Sequence, residues 1–218
     1  MNNYSILDII EYNFQYLYND SMARHAEYDR DTVIARATAV FWDRGYGKTS
    51  IGDLVTATGL QPGSLYAAFG NKKGLFVEVI DQYNRRFIAR VNGLREAPGR
   101  SIDKVEDLLR QIVEEAAAGR AERGCLTVNA LLELATHDDE IAGRLRGYNA
   151  QLRKAFAWLV KDAQAEGDIH TGRDANEVAS FVLNNLWGLR VMCKSRPDRS
   201  SLDAIVDGVL NGLRSRAT

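Results

Sequence analysis

The groups in this sequence best suited to covalent chemistry are two cysteines, Cys125 and Cys193. Cys125 directly follows Gly124 and comes shortly after Arg120 and Arg123, where we predict the first turn of a helix. A helix N-terminus and nearby cations both favour the thiolate, which is the nucleophilic form of cysteine. Cys125 is therefore predicted to react with electrophiles or oxidants; the alternative is an inert thiol packed in a core. Cys193 is interpreted as packing.

Motifs for catalysis and for metal binding are missing from the sequence. The three histidines, His25, His137 and His170, are scattered, and the cysteines do not follow a zinc-binding spacing. The sequence also has no glycine-rich phosphate loop and no recognisable pair of nucleophile and base. We predict that the protein is not an enzyme and uses no metal or other cofactor.

Positive charge is concentrated in one part of the chain, although the net charge is only −1. Residues 1–21 carry three acids and no bases, residues 22–95 carry 11 bases and 7 acids, and residues 96–218 carry 17 bases and 19 acids. The excess of bases in the middle segment predicts a surface there that binds a polyanion.

These groups must be positioned by helices. Only three prolines interrupt the chain, and apolar residues recur at three- and four-residue spacing along most of it, which predicts an all-α fold. No apolar run is long enough to span a membrane and no signal-peptide pattern is found, so a cytoplasmic protein is expected. About nine helices are predicted, near residues 30–44, 49–58, 62–69, 72–95, 101–118, 124–136, 138–166, 174–194 and 201–215.

The second and third predicted helices have the layout of a helix-turn-helix. Either Thr49 or Ser50 can cap the first of them, with Asp53 as the capping-box partner of Ser50. Gly59 ends that helix and Pro62 opens the next. In a helix-turn-helix the second helix enters the major groove of DNA. The alternative, from layout alone, is an ordinary helical hairpin.

A set of residues in and around these two helices carries further information. The set is Gly45-Tyr46, Thr49-Ser50-Ile51, Asp53-Leu54, Thr58-Gly59-Leu60, Gly63-Ser64-Leu65-Tyr66, Phe69, Asn71-Lys72-Lys73 and Leu75-Phe76. Together these residues resemble the DNA-binding signature of the TetR/AcrR family of transcriptional regulators. The sequence departs from the usual pattern in detail at Val55, Thr58, Ala68 and Lys73. The resemblance implies a three-helix head followed by a linking fourth helix.

Three segments are expected on this basis. Residues 1–27 follow no clean helical stripe and are interpreted as an N-terminal extension, either a leader or mispredicted start or a helical arm. Residues 28–72 are expected to form the helix-turn-helix DNA-binding domain. Residues 73–218 are expected to form a helical domain for effector binding and dimerisation.

Two kinds of DNA contact are expected from the head. Groups near helix N-termini are well placed for phosphates, and the resemblance implies that a tyrosine also reaches the backbone. Small or amide side chains at the start of the recognition helix can approach base edges or a thymine methyl group. The phosphate set is Lys48, Thr49, Ser50, Tyr66 and Lys72, and the recognition helix adds Gln61, Pro62, Gly63, Ser64 and Ala67.

The C-terminal half is expected to sense an effector. The segment Gly124-Cys125-Leu126-Thr127-Val128 resembles the corresponding part of electrophile- and hypochlorite-sensing repressors of the family, in which the cysteine is the sensor. An apolar pocket with a few polar groups is also implied, and the alternative is solid core. The predicted effector or sensor residues are Cys125, Asn129, Tyr148, Leu152, Trp158, Phe181 and Trp187.

The predicted function is that of a transcriptional regulator, most simply a repressor. One head buries too few phosphates for firm specific binding, so a homodimer on a palindromic operator in double-stranded DNA is expected. The resemblance implies an interface built from the last two helices. A small-molecule ligand or a cysteine modification would release the operator. The alternatives are a small helical enzyme or ligand carrier and a nonspecific, architectural DNA binder without an effector.

Overall fold

A computed structural model describes residues 29–214, and the predicted extension at residues 1–27 lies outside the described residues. Within that range nine α-helices and one short 3₁₀ turn, Cys193–Ser195, confirm the predicted all-α fold of about nine helices. None of these helices is long and apolar enough to cross a membrane. The helices are α1 Arg30–Lys48, α2 Ile51–Thr58, α3 Pro62–Phe69, α4 Lys72–Gly93, α5 Ser101–Ala117, α6 Leu126–Leu134, α7 Asp139–Ala165, α8 Ala175–Met192 and α9 Arg199–Leu213.

The ends of the two short helices follow from their local sequence. At α2 the Ser50 hydroxyl accepts the amide of Asp53, and the Asp53 carboxylate accepts the amide of Ser50, which confirms the capping box. Gly59 ends α2 with a φ of +75°, a conformation that favours glycine. Pro62 is the first residue of α3, where its missing N–H costs nothing. The two helices therefore have fixed lengths and a tight turn between them.

The first helix is predicted to end at residue 44, and it does break there, but one further turn follows the break. Gly45 leaves the helical conformation, with φ +78° and ψ 171°, but a further turn continues to Lys48. The amide of Thr49 then donates to the carbonyl of Tyr46 and closes that turn. The start of α9 also differs from the prediction: Asp198 caps the helix, which begins at Arg199, two residues before its predicted start.

Two apolar cores hold the described chain together. The first core packs the helices α1, α2, α3 and α4 together through Phe41, Leu54, Leu65 and Phe76. It also contains Leu126, Ile141 and Leu145 of α6 and α7. The second core lies among α5, α7, α8 and α9, with the end of α4 packed against it through Val91. Because the first core includes residues from both halves, the N-terminal head formed by the first helices is packed directly against the C-terminal half. The long helix α4 contributes to both cores and links them.

Candidate DNA interface and sensor site

The recognition helix α3 presents an open face above a buried anchor. Leu65 is fully buried and Phe69 is nearly so, and these two side chains fix the helix to the head core. A Cβ atom added at Gly63 would meet nothing within 4 Å, so another surface can approach the backbone there. Tyr66 is 45% exposed, so part of its ring is open to an approaching surface. The exposed residues are the predicted Gln61, Pro62, Gly63, Ser64, Tyr66 and Ala67.

The segment before α2 divides into exposed and internal groups. Lys48 and Ser50 are exposed, as a phosphate contact requires. Thr49 is only 1% exposed, and its hydroxyl donates to the carbonyl of Gly45 at 2.6 Å. The predicted phosphate contact therefore does not fit the side chain of Thr49, because the turn after Gly45 directs this side chain inward. The face that remains open consists of Lys48, Ser50 and the start of α3.

Lys72 opens α4 beside this segment and is already engaged within the protein. Its Nζ donates to the carbonyls of Tyr46 and Thr49 at 2.9 Å each, and it lies 4.3 Å from the centre of the Tyr46 ring. Since an ammonium group has three N–H bonds, one remains for an outside acceptor. Lys72 thus holds the loop in place, with one N–H left over.

Lys73, where the family pattern often has an acid, faces the C-terminal half. Its Nζ lies 2.8 Å from a carboxylate oxygen of Asp138 and 3.0 Å from one of Glu140. Hydrogen bonds to these carboxylates, that to Asp138 first, raise the pKa of Lys73. All three side chains are partly or fully exposed, so these two ion pairs contribute little to stability. Its geometric effect is to attach the start of α4 to the start of α7.

Cys125 is the N-cap residue of α6, one position before its predicted place in the first turn. It is 8% exposed, and the hydroxyl of Tyr83 donates to its Sγ at 3.8 Å. Burial raises the pKa of Tyr83 well above its usual value, with the neighbouring Cys125 charge as the next cause, so the phenol keeps its proton. The nearby cation is Arg190 of α8, whereas Arg123 pairs with Asp43 at 2.7 Å.

A small cavity lies beside Cys125. Three of the predicted sensor residues, Cys125, Leu152 and Trp187, line it. Its volume is about 20 Å³, which is room for one water molecule. Tyr83, Arg90 and Arg190 also line it, and burial lowers the pKa of the Arg90 guanidinium. The site is thus mostly packed, with cationic and phenolic groups beside the thiol.

The other predicted sensor residues lie elsewhere. Asn129 bonds the carbonyl of Arg123 and the ammonium of Lys194. Burial, and after it the hydrogen bond in which the Tyr148 hydroxyl donates to Asp81 at 2.7 Å, raises the pKa of Tyr148 to about 12. Trp158 and Phe181 are 41% and 37% exposed. Helical periodicity places residues on a face but does not show which helix covers that face, so it could not show that these four lie away from the cavity beside Cys125.

The sequence did not identify a buried ion pair next to the cavity. Arg190 on α8 donates to Glu115 on α5 at 2.6 Å, and the two residues are 8% and 1% exposed. The second oxygen of Glu115 is buried without a hydrogen-bond partner among the described residues. The available signal was a charged residue inside each apolar stripe, since such positions are seldom fully buried without a partner. Over the same range no three histidine, cysteine or carboxylate side chains are grouped to hold a metal ion.

Most of the large apolar side chains of α8 and α9, the helices expected to form the dimer interface, lie inside the chain's own core. Val178, Val182, Leu186 and Leu189 are buried within the chain, as are Leu202, Val206, Val209, Leu210 and Leu213. A different set remains exposed on the two helices, and most of its members are small or apolar. Apart from the polar first turns of both helices and Asp207, which are exposed as well, this exposed set is Phe181, Asn184, Gly188, Val191 and Met192 on α8, and Ala204, Gly208, Asn211 and Gly212 on α9.

A capped helix-turn-helix with an open recognition helix, packed against a larger helical half, defines a DNA-binding regulator. Comparison with known families agrees, since the model for bacterial regulatory proteins of the tetR family matches residues 33–79. The model for the tetracyclin repressor-like C-terminal domain matches residues 101–209. The chain belongs to the TetR family. This confirms the prediction of a DNA-binding transcriptional regulator and not an enzyme.

Individual relatives extend the similarity to most of the chain. The HTH-type transcriptional repressor ComR of Escherichia coli K12 is 30% identical over 175 residues, which cover 80% of this chain and 83% of ComR. YezE of Bacillus subtilis, an uncharacterized HTH-type transcriptional regulator, is 28% identical over 193 residues, covering 88% and 100%. A cysteine mutant of the TetR-family regulator CifR, complexed with 26-bp double-strand operator DNA, has a TM-score of 0.75 and 33% identity, covering 86% and 98%.

Proposed function

We propose that this regulator is a homodimeric repressor that binds a palindromic operator and releases it when a small electrophile modifies Cys125. The observation that carries the DNA-binding part is the open face of α3, which is anchored by Leu65 and Phe69. ComR is a repressor, and CifR has been solved on operator DNA, which supports the same role here. The target is chromosomal DNA, so we also propose a cytoplasmic location.

Base reading is assigned to the first turns of α3. Gln61 has an amide that can pair with adenine, Ser64 can donate or accept, and Ala67 can contact a thymine methyl group. Gly63 and Pro62 let the backbone come close to the groove, because neither carries a long side chain. Phosphate contacts are assigned to Lys48, Ser50, Tyr66, Lys72 and the backbone near Thr49, and they set affinity more than sequence preference.

A homodimer supplies two such helices to successive major grooves. The exposed set on α8 and α9 supports an interface there, because glycine and alanine allow two helix pairs to approach closely. Phe181 and Met192, 37% and 46% exposed, would lose water contact in such an interface. A four-helix contact of this kind has two-fold symmetry, which matches a palindromic operator.

The small volume of the cavity favours a small electrophile over a large reversible ligand. The cavity beside Cys125 has room for about one water molecule, so a drug-sized ligand has no preformed site there. The thiolate would add to the alkene carbon of an α,β-unsaturated carbonyl compound. A C–S bond forms, the alkene electrons move to the carbonyl oxygen, and the enolate takes a proton from water. Nothing leaves, so the whole reagent is added to the packed site.

Contacts from Cys125 lead directly to the DNA-binding head. Tyr83 donates to the Cys125 sulfur, and its ring packs edge-on against Trp42 of α1 with centroids 5.2 Å apart. An adduct on sulfur would displace Tyr83 and, through it, α1 and α4. Release is then a population shift toward a dimer in which the recognition helices no longer match successive grooves.

The DNA assignment is tested with a duplex selected from random-sequence DNA by the wild-type protein. Tyr66→Ala should weaken binding to all duplexes, whereas Gln61→Ala should change sequence preference by about tenfold at the contacted position. Gln151→Ala removes an exposed glutamine from α7 and should do neither. Gel shifts in which Tyr66→Ala and Gln61→Ala both behave as wild type would remove the assignment.

The sensor assignment is tested with N-ethylmaleimide on the protein–DNA complex. The wild type should release the duplex as mass spectrometry detects the adduct on Cys125, and Cys125→Ser should stay bound. Cys193→Ala is the matched control and should respond like the wild type, because burial raises the pKa of Cys193 and disfavours its thiolate. Full retention of DNA by protein alkylated at Cys125 would contradict the sensor role and favour an architectural DNA binder.

A further inference from the structure

A carboxylate from the C-terminal half is bound to the backbone of the DNA-binding head. Glu133, in the last turn of α6, accepts the backbone N–H groups of Tyr46 at 2.9 Å and Gly47 at 2.6 Å. Both amides come directly after Gly45, where α1 leaves the helical conformation. A break of this kind leaves the following amides without their partners one turn back, as at a helix start. Glu133 therefore caps this last turn of α1 from a different helix.

The glycines on either side of Tyr46 make room for that carboxylate. A Cβ atom added at Gly45 would lie 2.9 Å from one Glu133 oxygen, and one added at Gly47 would lie 3.0 Å from the other. Gly45 also has a φ of +78°, which side chains other than glycine rarely adopt. The Gly-Tyr-Gly backbone thus fits a carboxylate on this side.

Lys72 binds the backbone carbonyl groups of the same segment, whereas Glu133 binds its N–H groups. Its Nζ donates to the carbonyls of Tyr46 and Thr49. One acidic and one basic side chain, from α6 and α4, therefore bind the donors and acceptors of residues 46–49. The neighbouring residues Lys48 and Ser50 remain exposed, on the side where DNA is proposed to lie.

We propose that Glu133 is a positioning residue for DNA binding, which orients Lys48 and Ser50 toward a phosphate by fixing the backbone of residues 45–47. This inference rests on the proposed phosphate contacts. For removal of Glu133, this inference predicts a change in DNA affinity opposite in direction to the one that simple electrostatics predicts. Removing a negative charge near DNA would strengthen binding, because repulsion falls. Loss of a positioning carboxylate weakens binding, because Lys48 and Ser50 must then be ordered during association.

The experiment measures binding of the selected duplex by fluorescence anisotropy over a series of salt concentrations. Glu133→Ala should weaken binding by about tenfold, on the scale of one lost charge-assisted hydrogen bond, and Glu133→Gln, which keeps one acceptor oxygen, should weaken it less. Asp139→Asn is the matched control, an exposed acid on α7 for which the described residues show no side-chain hydrogen bond or ion pair, and it should weaken nothing. Circular dichroism confirms that each variant is folded.

The salt dependence separates positioning from a general loss of stability. Lys48→Ala should lower the slope of log affinity against log salt by about 1, which corresponds to one lost phosphate contact. Glu133→Ala should lower the slope by a similar amount, although it removes no cation. In the double variant the two losses should be less than multiplicative, because both act on the same contact.

Three results would overturn the inference. Equal or tighter binding by Glu133→Ala is the electrostatic outcome. Fully multiplicative losses in the double variant would show that Glu133 does not act through Lys48. A loss in Glu133→Ala together with unchanged binding by Lys48→Ala would lead to the same conclusion, and it would also remove Lys48 from the proposed function. If Lys48→Ala weakens binding and Glu133→Ala does not, only the positioning role fails.

Discussion

The recognition helix and the surroundings of Cys125 are built in opposite ways. On α3 the residues assigned to DNA are exposed, while two apolar side chains below them hold the helix in place. Around Cys125 the functional groups are themselves part of the packing: the thiol is 8% exposed, and the Arg190–Glu115 pair is buried next to it. Substitutions at the exposed positions of α3 should therefore change DNA binding with little change in stability. Substitutions around Cys125 should change stability first.

The largest effect is expected from Glu115→Ala. It leaves the Arg190 guanidinium buried without its carboxylate, which should lower the free energy of unfolding by about 3–5 kcal/mol. Urea denaturation followed by circular dichroism measures this change. The double substitution Glu115→Leu with Arg190→Met removes both charges and should recover most of the loss. An unchanged urea midpoint for Glu115→Ala would mean that the buried pair does not carry this part of the fold.

A smaller loss is expected from Thr127→Val. The Thr127 hydroxyl donates to Oδ1 of Asn84 at 2.8 Å, and Asn84 in turn donates to the carbonyl of Ile80. Valine has nearly the same shape but leaves the buried Asn84 oxygen without a donor, at a cost of about 1–2 kcal/mol. Differential urea unfolding against Thr56→Val, an exposed threonine on α2, checks the value. Equal effects of the two variants would contradict the contrast between buried and exposed groups.

The smallest effect is expected from Trp158→Ala. Its ring lies 4.9 Å from the Arg95 guanidinium and 4.8 Å from the Lys161 ammonium, at the surface. Exposed contacts of this kind contribute about 0.5 kcal/mol each at the low end of their range, so the free energy of unfolding should fall by about 1 kcal/mol or less and the urea midpoint should shift slightly. Release of DNA by N-ethylmaleimide should match the wild type, because Trp158 does not line the cavity. A lost response would return Trp158 to the sensor site.

The sequence was most informative about the DNA-binding head because its signals are local. Ser50 and Asp53 cap each other over three residues, Gly59 ends α2 and Pro62 starts α3, so each boundary depends on its own neighbours. The exposed face of α3 then follows from helical periodicity, since Leu65 and Phe69 must point to the core. The inward turn of Thr49 was missed, because it depends on the irregular backbone at Gly45.

The sensor site depends on contacts between helices far apart in sequence. Cys125 meets Tyr83 across 42 positions and Arg190 meets Glu115 across 75. Periodicity placed aromatic residues on faces of α7 and α8, but Trp158 and Phe181 lie on partly exposed faces of those helices, away from the cavity. Glu133 was not recognised for the same reason, since its partners Tyr46 and Gly47 are 87 and 86 positions away.

The small volume beside Cys125 has a kinetic consequence. If Cys125 is the sensor as proposed, a reagent larger than the cavity of about 20 Å³ reaches the sulfur only when the helices around it separate briefly by local opening. At high concentrations the speed of response is then set by the frequency of opening and stops rising with concentration. Abundant cellular thiols and bulky oxidants are kept from the sulfur by the same closure. The regulator would thus select reagents by their size and by how long they persist.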